Sequence, residues 1–190
     1  MIFFLHRKKA GFTLVEMIVS VGLFTAVSFI ATGSLLSIVL VNKKVQAQQA
    51  VMNNLNFALE SMTRDIRVGK AYHCGGGTFT DPQDCSGGGD YFSFLSAENA
   101  QQYVYRLEPG GSVIEKSTEG GVLGSYTDLT AEEIHINSLS FVVKGSALGD
   151  GIQPSVLIAL SGYAFIESQS RPEKVDFSLQ TTVSQRLIDY

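Results

Sequence analysis

The feature that most limits what this chain can become is a long stretch of uncharged, apolar sequence near one end. From Met17 to Val41 no residue carries a charge, and from Phe12 to Val41 the only one that does is Glu16. Such a run exceeds the roughly 20 apolar residues a helix needs to cross a bilayer. Arg7, Lys8 and Lys9 crowd its leading end, so the positive-inside rule places residues 1–11 in the cytoplasm and everything past the span outside it. Lys43 and Lys44 on the far flank pull weakly the other way. A carboxylate within hydrocarbon is costly unless paired or protonated, which makes Glu16 a functional residue on physical grounds.

Past the span the balance turns acidic. Of the 14 Lys/Arg and 18 Asp/Glu in these 190 residues, 11 and 17 fall between Asn42 and Tyr190. Non-specific nucleic-acid binding runs on basic patches, so no specific nucleic-acid partner is expected.

An ordinary secretory signal ends in a small-residue cleavage site after its apolar stretch. Here the basic residues come first, then Gly11, then the apolar run, so a cut at Gly11 leaves the membrane helix on the mature protein. Gly11 also offers an unhindered backbone to a peptidase. The string Gly11-Phe12-Thr13-Leu14-Val15-Glu16, followed by Met-Ile-Val-Ser-Val, resembles the class III signal of type IV prepilins over about the first 30 residues. The resemblance implies that a prepilin peptidase cuts between Gly11 and Phe12 and methylates the new amino group of Phe12. It also implies that Glu16 pairs with the Phe12 amine of a neighbouring subunit and so sets axial register. Pairing within one chain, which the spacing of four residues permits, and a plain signal anchor with Glu16 reaching the interface are the alternatives.

No proline precedes Pro82, so one helix is expected from Thr13 to about Val68, roughly 80 Å long at helical rise. Gly22 and Gly33 are soft points within it, suited either to local melting or to close packing in lipid. Many major pilins have proline where Gly33 stands. Met52, Leu55, Leu59, Met62 and Ile66 form a stripe at helical spacing, expected to be the seam against a sheet. Glu60 with Arg64, and Asp65 with Arg67, are expected on a solvated face, and Gly69 offers a stop. The segment Ala58–Arg67 resembles the same region of the type II secretion pseudopilin J and related minor pilins.

Cys74 and Cys85 bracket a glycine-rich loop. Outside the cytoplasm a disulfide is expected, worth roughly 2–3 kcal/mol through chain entropy. The alternative is a metal site built on His73, Cys74 and Cys85, but zinc ordinarily takes four ligands and the other histidines are His6 and His135. Asp81, Asp84 and Asp90 offer oxygen for calcium without EF-hand spacing. No metal or cofactor is expected.

After Gly89 short β segments follow: Tyr91–Ser96, a hairpin of Tyr103–Glu108 and Ser112–Lys116 around Pro109-Gly110-Gly111, then Ile134–Ile136, Leu139–Lys144, Ser155–Ile166 and Val175–Val183. Val156–Leu160 reads as a central strand, while Phe177, Leu179, Thr181 and Val183 alternate as in a half-exposed one. The hairpin and Ser138–Val143 again resemble J-type pseudopilins.

The chain lacks a Gly-x-Ser-x-Gly elbow, a P-loop, a His-Glu-x-x-His and a Cys-x-x-Cys. His135, beside Glu132 and Glu133, has no identifiable nucleophile or metal partner, Asp128 joins those two as surface charge, and Gly149-Asp150-Gly151 reads as a turn. No enzyme is expected.

The expected fold is α+β and type IV pilin-like: a long N-terminal helix, membrane-spanning in its first half and amphipathic in its second, packed on an antiparallel β-sheet. Its parts are a leader peptide (1–11), a transmembrane or filament-core helix (12–41), the amphipathic half (42–70) and an extracytoplasmic β-rich domain (71–190). The resemblance implies a minor pilin or pseudopilin in a tip or initiation complex serving secretion, pilus assembly or DNA uptake. Implied partners are the prepilin peptidase, other pilin or pseudopilin subunits, the inner-membrane assembly platform, and membrane lipid before assembly. The implied location is the bacterial inner membrane, single-pass, and then a filament in the periplasm or at the cell surface. Alternatives are a major fibre-forming pilin, and a tip module recognising a protein or surface with Tyr91, Tyr103, Tyr105 and Tyr126 as contact aromatics.

Overall fold

The computed structural model describes residues 11–75, 81–147, 149–166 and 172–186. The basic leader residues, the middle of the cysteine loop and the last four residues lie outside these. The chain divides into two compact units, residues 1–45 and 46–190.

The first unit is helical from Leu14, where α1 (Leu14–Val68) begins. Thr13 caps it: its Oγ1 accepts a hydrogen bond from the Glu16 backbone N–H at 3.2 Å, and its carbonyl accepts from the Met17 N–H. The helix is unbroken at Gly22 and Gly33, where an added Cβ would meet nothing within 4 Å. Every apolar side chain from Leu14 to Val41 is exposed in the isolated chain. Hydroxyls on this segment bond back to the helix, Ser20 to the Glu16 carbonyl at 2.7 Å and Thr32 to the Ser28 carbonyl at 2.8 Å. Such local bonding satisfies the polar groups that hydrocarbon would penalise. Length and composition make this helix able to cross a membrane.

The second unit begins with the remainder of α1 and continues into nine strands. Leu55, Ala58, Leu59, Met62 and Ile66 are buried, as the helical spacing requires. Met52, expected in the same stripe, is instead 37% exposed, and Val51 takes its place against the core. The helix stops at Gly69, whose N–H reaches the Ile66 carbonyl. The glycine is needed there for space, because a Cβ would overlap the Phe94 ring.

The strands form two antiparallel sheets where one was expected. The first has the order β1 (Lys70–Cys74), β3 (Tyr91–Leu95), β4 (Gln102–Leu107), β5 (Ile114–Ser117), β6 (Tyr126–Asp128). The second has the order β2 (Cys85–Gly89), β7 (Ile134–Lys144), β8 (Ser155–Ile166), β9 (Glu173–Ser184). The expected β4–β5 hairpin forms, with Leu107 opposite Ile114 and its second strand starting at Ile114, two residues later than the sequence suggested. Ile134–Ile136 and Leu139–Lys144 are one strand, interrupted by a bulge between Ile136 and Ser138 that puts Ile134, Ile136, Leu139, Phe141 and Val143 all on the buried face. β8 lies between β7 and β9, as its apolar run suggested, although within Val156–Leu160 only Val156, Ile158 and Leu160, on one face, are buried.

One core collects the helix stripe and both sheets. Phe92 of β3 stacks on Phe141 of β7 with ring centroids 5.3 Å apart, and Tyr72 of β1 meets Phe92 edge-on. Stacked and edge-on pairs of this kind add to the area they bury. A long apolar helix packed against antiparallel β-sheets makes the α+β, type IV pilin-like fold expected above.

Candidate functional site

Gly11, Phe12 and Thr13 precede the first helical turn, and all three are exposed. Among the described residues nothing lies within 4 Å of where a Gly11 Cβ would stand, so they leave the backbone between Gly11 and Phe12 open to approach. Glu16 lies three residues past the Thr13 cap, the spacing of a capping box, in which an N-cap Thr and a Glu one turn on each serve backbone N–H groups. The Thr-x-x-Glu signature was legible in the sequence and would have found the cap. Its carboxylate sits in the first turn, where the helix dipole favours negative charge.

The two cysteines are joined. Cys74 ends β1 in the first sheet, Cys85 opens β2 in the second, and the disulfide links them with Cα atoms 5.7 Å apart. Both sulfurs lie close to the Phe141 carbonyl oxygen, at 3.2 and 3.1 Å. His73, the third residue of the alternative metal site, is buried, with Nδ1 2.6 Å from the Asp81 carbonyl oxygen. Among the described residues no group of three His, Cys, Asp or Glu side chains is arranged to hold a metal ion.

Asp84, considered for calcium, has another task. Its carboxylate accepts the backbone N–H groups of Gly145 at 3.0 Å and Ser146 at 2.8 Å, pinning the turn after β7. Burial pushes this carboxyl up, but the Ser146 hydroxyl and the two backbone N–H groups outweigh that and hold it below the usual range.

Asp65 corrects the reading of a solvated Asp65–Arg67 face. Its Oδ2 accepts the Tyr105 hydroxyl at 2.8 Å and the Lys116 ammonium at 2.7 Å, fastening the helix to β4 and β5. Sequence reasoning missed this because its partners lie 40 and 51 residues away. Glu60 and Arg64 do form the expected exposed pair, at 3.3 Å.

The four tyrosines divide. Tyr105 is fully buried and cannot be a contact residue, while Tyr126 is half-buried beneath the Arg106 guanidinium, 3.5 Å from its ring centre. Arg106 in turn donates to Glu115 at 2.8 Å. Tyr91 and Tyr103 are also half-buried, and Tyr103 packs on the core. His135 stacks on Tyr163 and bonds Ser112 Oγ through Nδ1 at 2.9 Å, a packing role. Asp150 accepts the Ile152 N–H at 2.7 Å within the expected turn.

Residues 6–32 match the family model described as the prokaryotic N-terminal methylation motif. The match spans the basic residues, the glycine, the Thr13 cap, Glu16 and the first part of the apolar helix. No curated protein matches the chain, and no solved structure does. With the fold, the motif supports a type IV prepilin-like reading, and the helix is long and apolar enough to cross a membrane.

Proposed function

We propose that the chain is a structural subunit of a type IV filament, cut by prepilin peptidase between Gly11 and Phe12, methylated on Phe12, and assembled through its N-terminal helix. The observation that carries the proposal is the exposed Gly11–Phe12 junction standing directly before a capped helix, within the methylation motif. Cleavage there creates a positive amine on Phe12 four residues from the Glu16 carboxylate. One positive and one negative group at the end of an otherwise neutral rod suit pairing between subunits, which neutralises both charges in apolar surroundings.

Within that class we favour a minor pilin or pseudopilin over the major fibre subunit. Support comes from the J-like character of Ala58–Arg67 and Ser138–Val143 and from glycine at position 33. The C-terminal domain then lies outside the cytoplasm, in an oxidising space where the Cys74–Cys85 disulfide persists. Partners are sibling subunits and the inner-membrane assembly platform.

Mass spectrometry of the mature protein from cells tests the processing step. The expected amino terminus is N-methylated Phe12, and Gly11→Val should leave full-length precursor in the membrane. An intact Met1 on the mature protein, or a cut beyond Val41, overturns the proposal.

A further inference from the structure

Arginines are sparse in this acidic domain, yet three of them converge. Arg64 and Arg67 on the last turns of α1 and Arg186 just after β9 line an open cleft of about 460 Å³ with Glu60, Thr63 and Val68. The Arg186 backbone N–H bonds the Arg67 carbonyl at 2.8 Å, so the two residues are held together by the fold. Arg64 is paired with Glu60 on the same helix, at 3.3 Å and exposed. Among the described residues no carboxylate comes within ion-pair distance of Arg67 or Arg186.

We infer that this cleft is an interaction surface for an acidic segment of a neighbouring filament subunit, whose carboxylates pair with Arg67 and Arg186. The inference rests on the filament reading above. Guanidinium groups favour carboxylates through two parallel hydrogen bonds. The small number of cations selects a protein over a nucleic acid: two or three arginines match a pair of carboxylates but are too few to follow a phosphate backbone. Arg64 already has a partner in Glu60, so Arg67 and Arg186 are the guanidinium groups offered to the incoming segment.

The test uses the full-length chain. In cells, Arg67→Glu with Arg186→Glu should be processed and retained in the membrane like the wild type, with unchanged ectodomain melting, while its recovery in sheared filaments falls at least about tenfold, as loss of a charge-assisted pair implies. In detergent, the wild-type chain should bind a hexaglutamate peptide in a salt-sensitive way and the double variant should not. Wild-type recovery in filaments, or no peptide binding, overturns the inference. Tighter binding of a 12-base-pair DNA duplex than of the peptide overturns it in favour of nucleic acid. Failure of the filament reading itself is distinct, since the wild-type chain would then be missing from sheared filaments.

Discussion

Thr13 and Glu16 occupy the N-cap and third position of one helix, so a carboxylate that hydrocarbon would reject stands beside backbone N–H groups that also lack helical partners. The position suits Glu16 to closing the helix start, and the proposed assembly charge is a second role that substitution can separate from it. Glutamine keeps the first and removes the second. We expect Glu16→Gln to be processed normally and yet be incorporated into filaments as poorly as Glu16→Ala. Wild-type incorporation of Glu16→Gln would leave capping as the only role. Asp65 shows the opposite relation between sequence and task. Flanked by Arg64 and Arg67, it reads as one more helix charge, but it meets Tyr105 and Lys116 from distant strands. Asp65→Ala strands a buried hydroxyl and an ammonium, and should cost about 2 kcal/mol in a denaturant titration. Glu60→Ala, at an exposed pair, should cost no more than a few tenths.

At the scale of elements, what was legible is what periodicity and turn chemistry encode locally. The helix stripe, the Pro109-Gly110-Gly111 hairpin and the long β8 follow from alternation and breakers, and the methylation motif from residue order. Missed were β1, β2 and β6, because Lys70–Cys74 and the glycine-rich Cys85–Gly89 carry no clear strand alternation and Tyr126–Asp128 is too short to show one. They become strands by pairing with β3, β7 and β5. The split into two sheets was equally hidden, since strand order is set by contacts far apart in the chain. Glycine within β8 is a particular case. A Cβ on Gly162 would overlap the His135 carbonyl oxygen and come within 2.9 Å of Phe177 Cζ, so β7 and β8 approach closely beside the bulge. Gly162→Ala should cost roughly 1–3 kcal/mol. Gly87→Ala, with nothing within 4 Å, should leave thermal melting unchanged.

For the ectodomain as a whole, two tyrosines set an alkaline limit. Burial pushes the Tyr72 and Tyr105 phenols above the ordinary value of 10.0, and the neighbouring Asp65 carboxylate pushes Tyr105 further. A group whose folded pKa is raised leaves stability intact below its unfolded value and withdraws it above. Stability should therefore hold up to about pH 10 and fall beyond it, where the unfolded chain ionises first. Tyr105→Phe should flatten that fall at some cost at neutral pH, read from denaturant midpoints against pH. Reduction adds a separate loss of roughly 2–3 kcal/mol, the worth of closing a loop of this size.

The position of the sulfur bridge has a mechanical consequence. Tension drawn along α1 enters the first sheet through the Asp65 anchor, and from β1 it crosses to β2 over a covalent bond. Oxidised, the two sheets are tied by a covalent bond in the path of any load; reduced, that path runs through the packed seam and a few hydrogen bonds such as Gln83 N–H to the Tyr72 carbonyl.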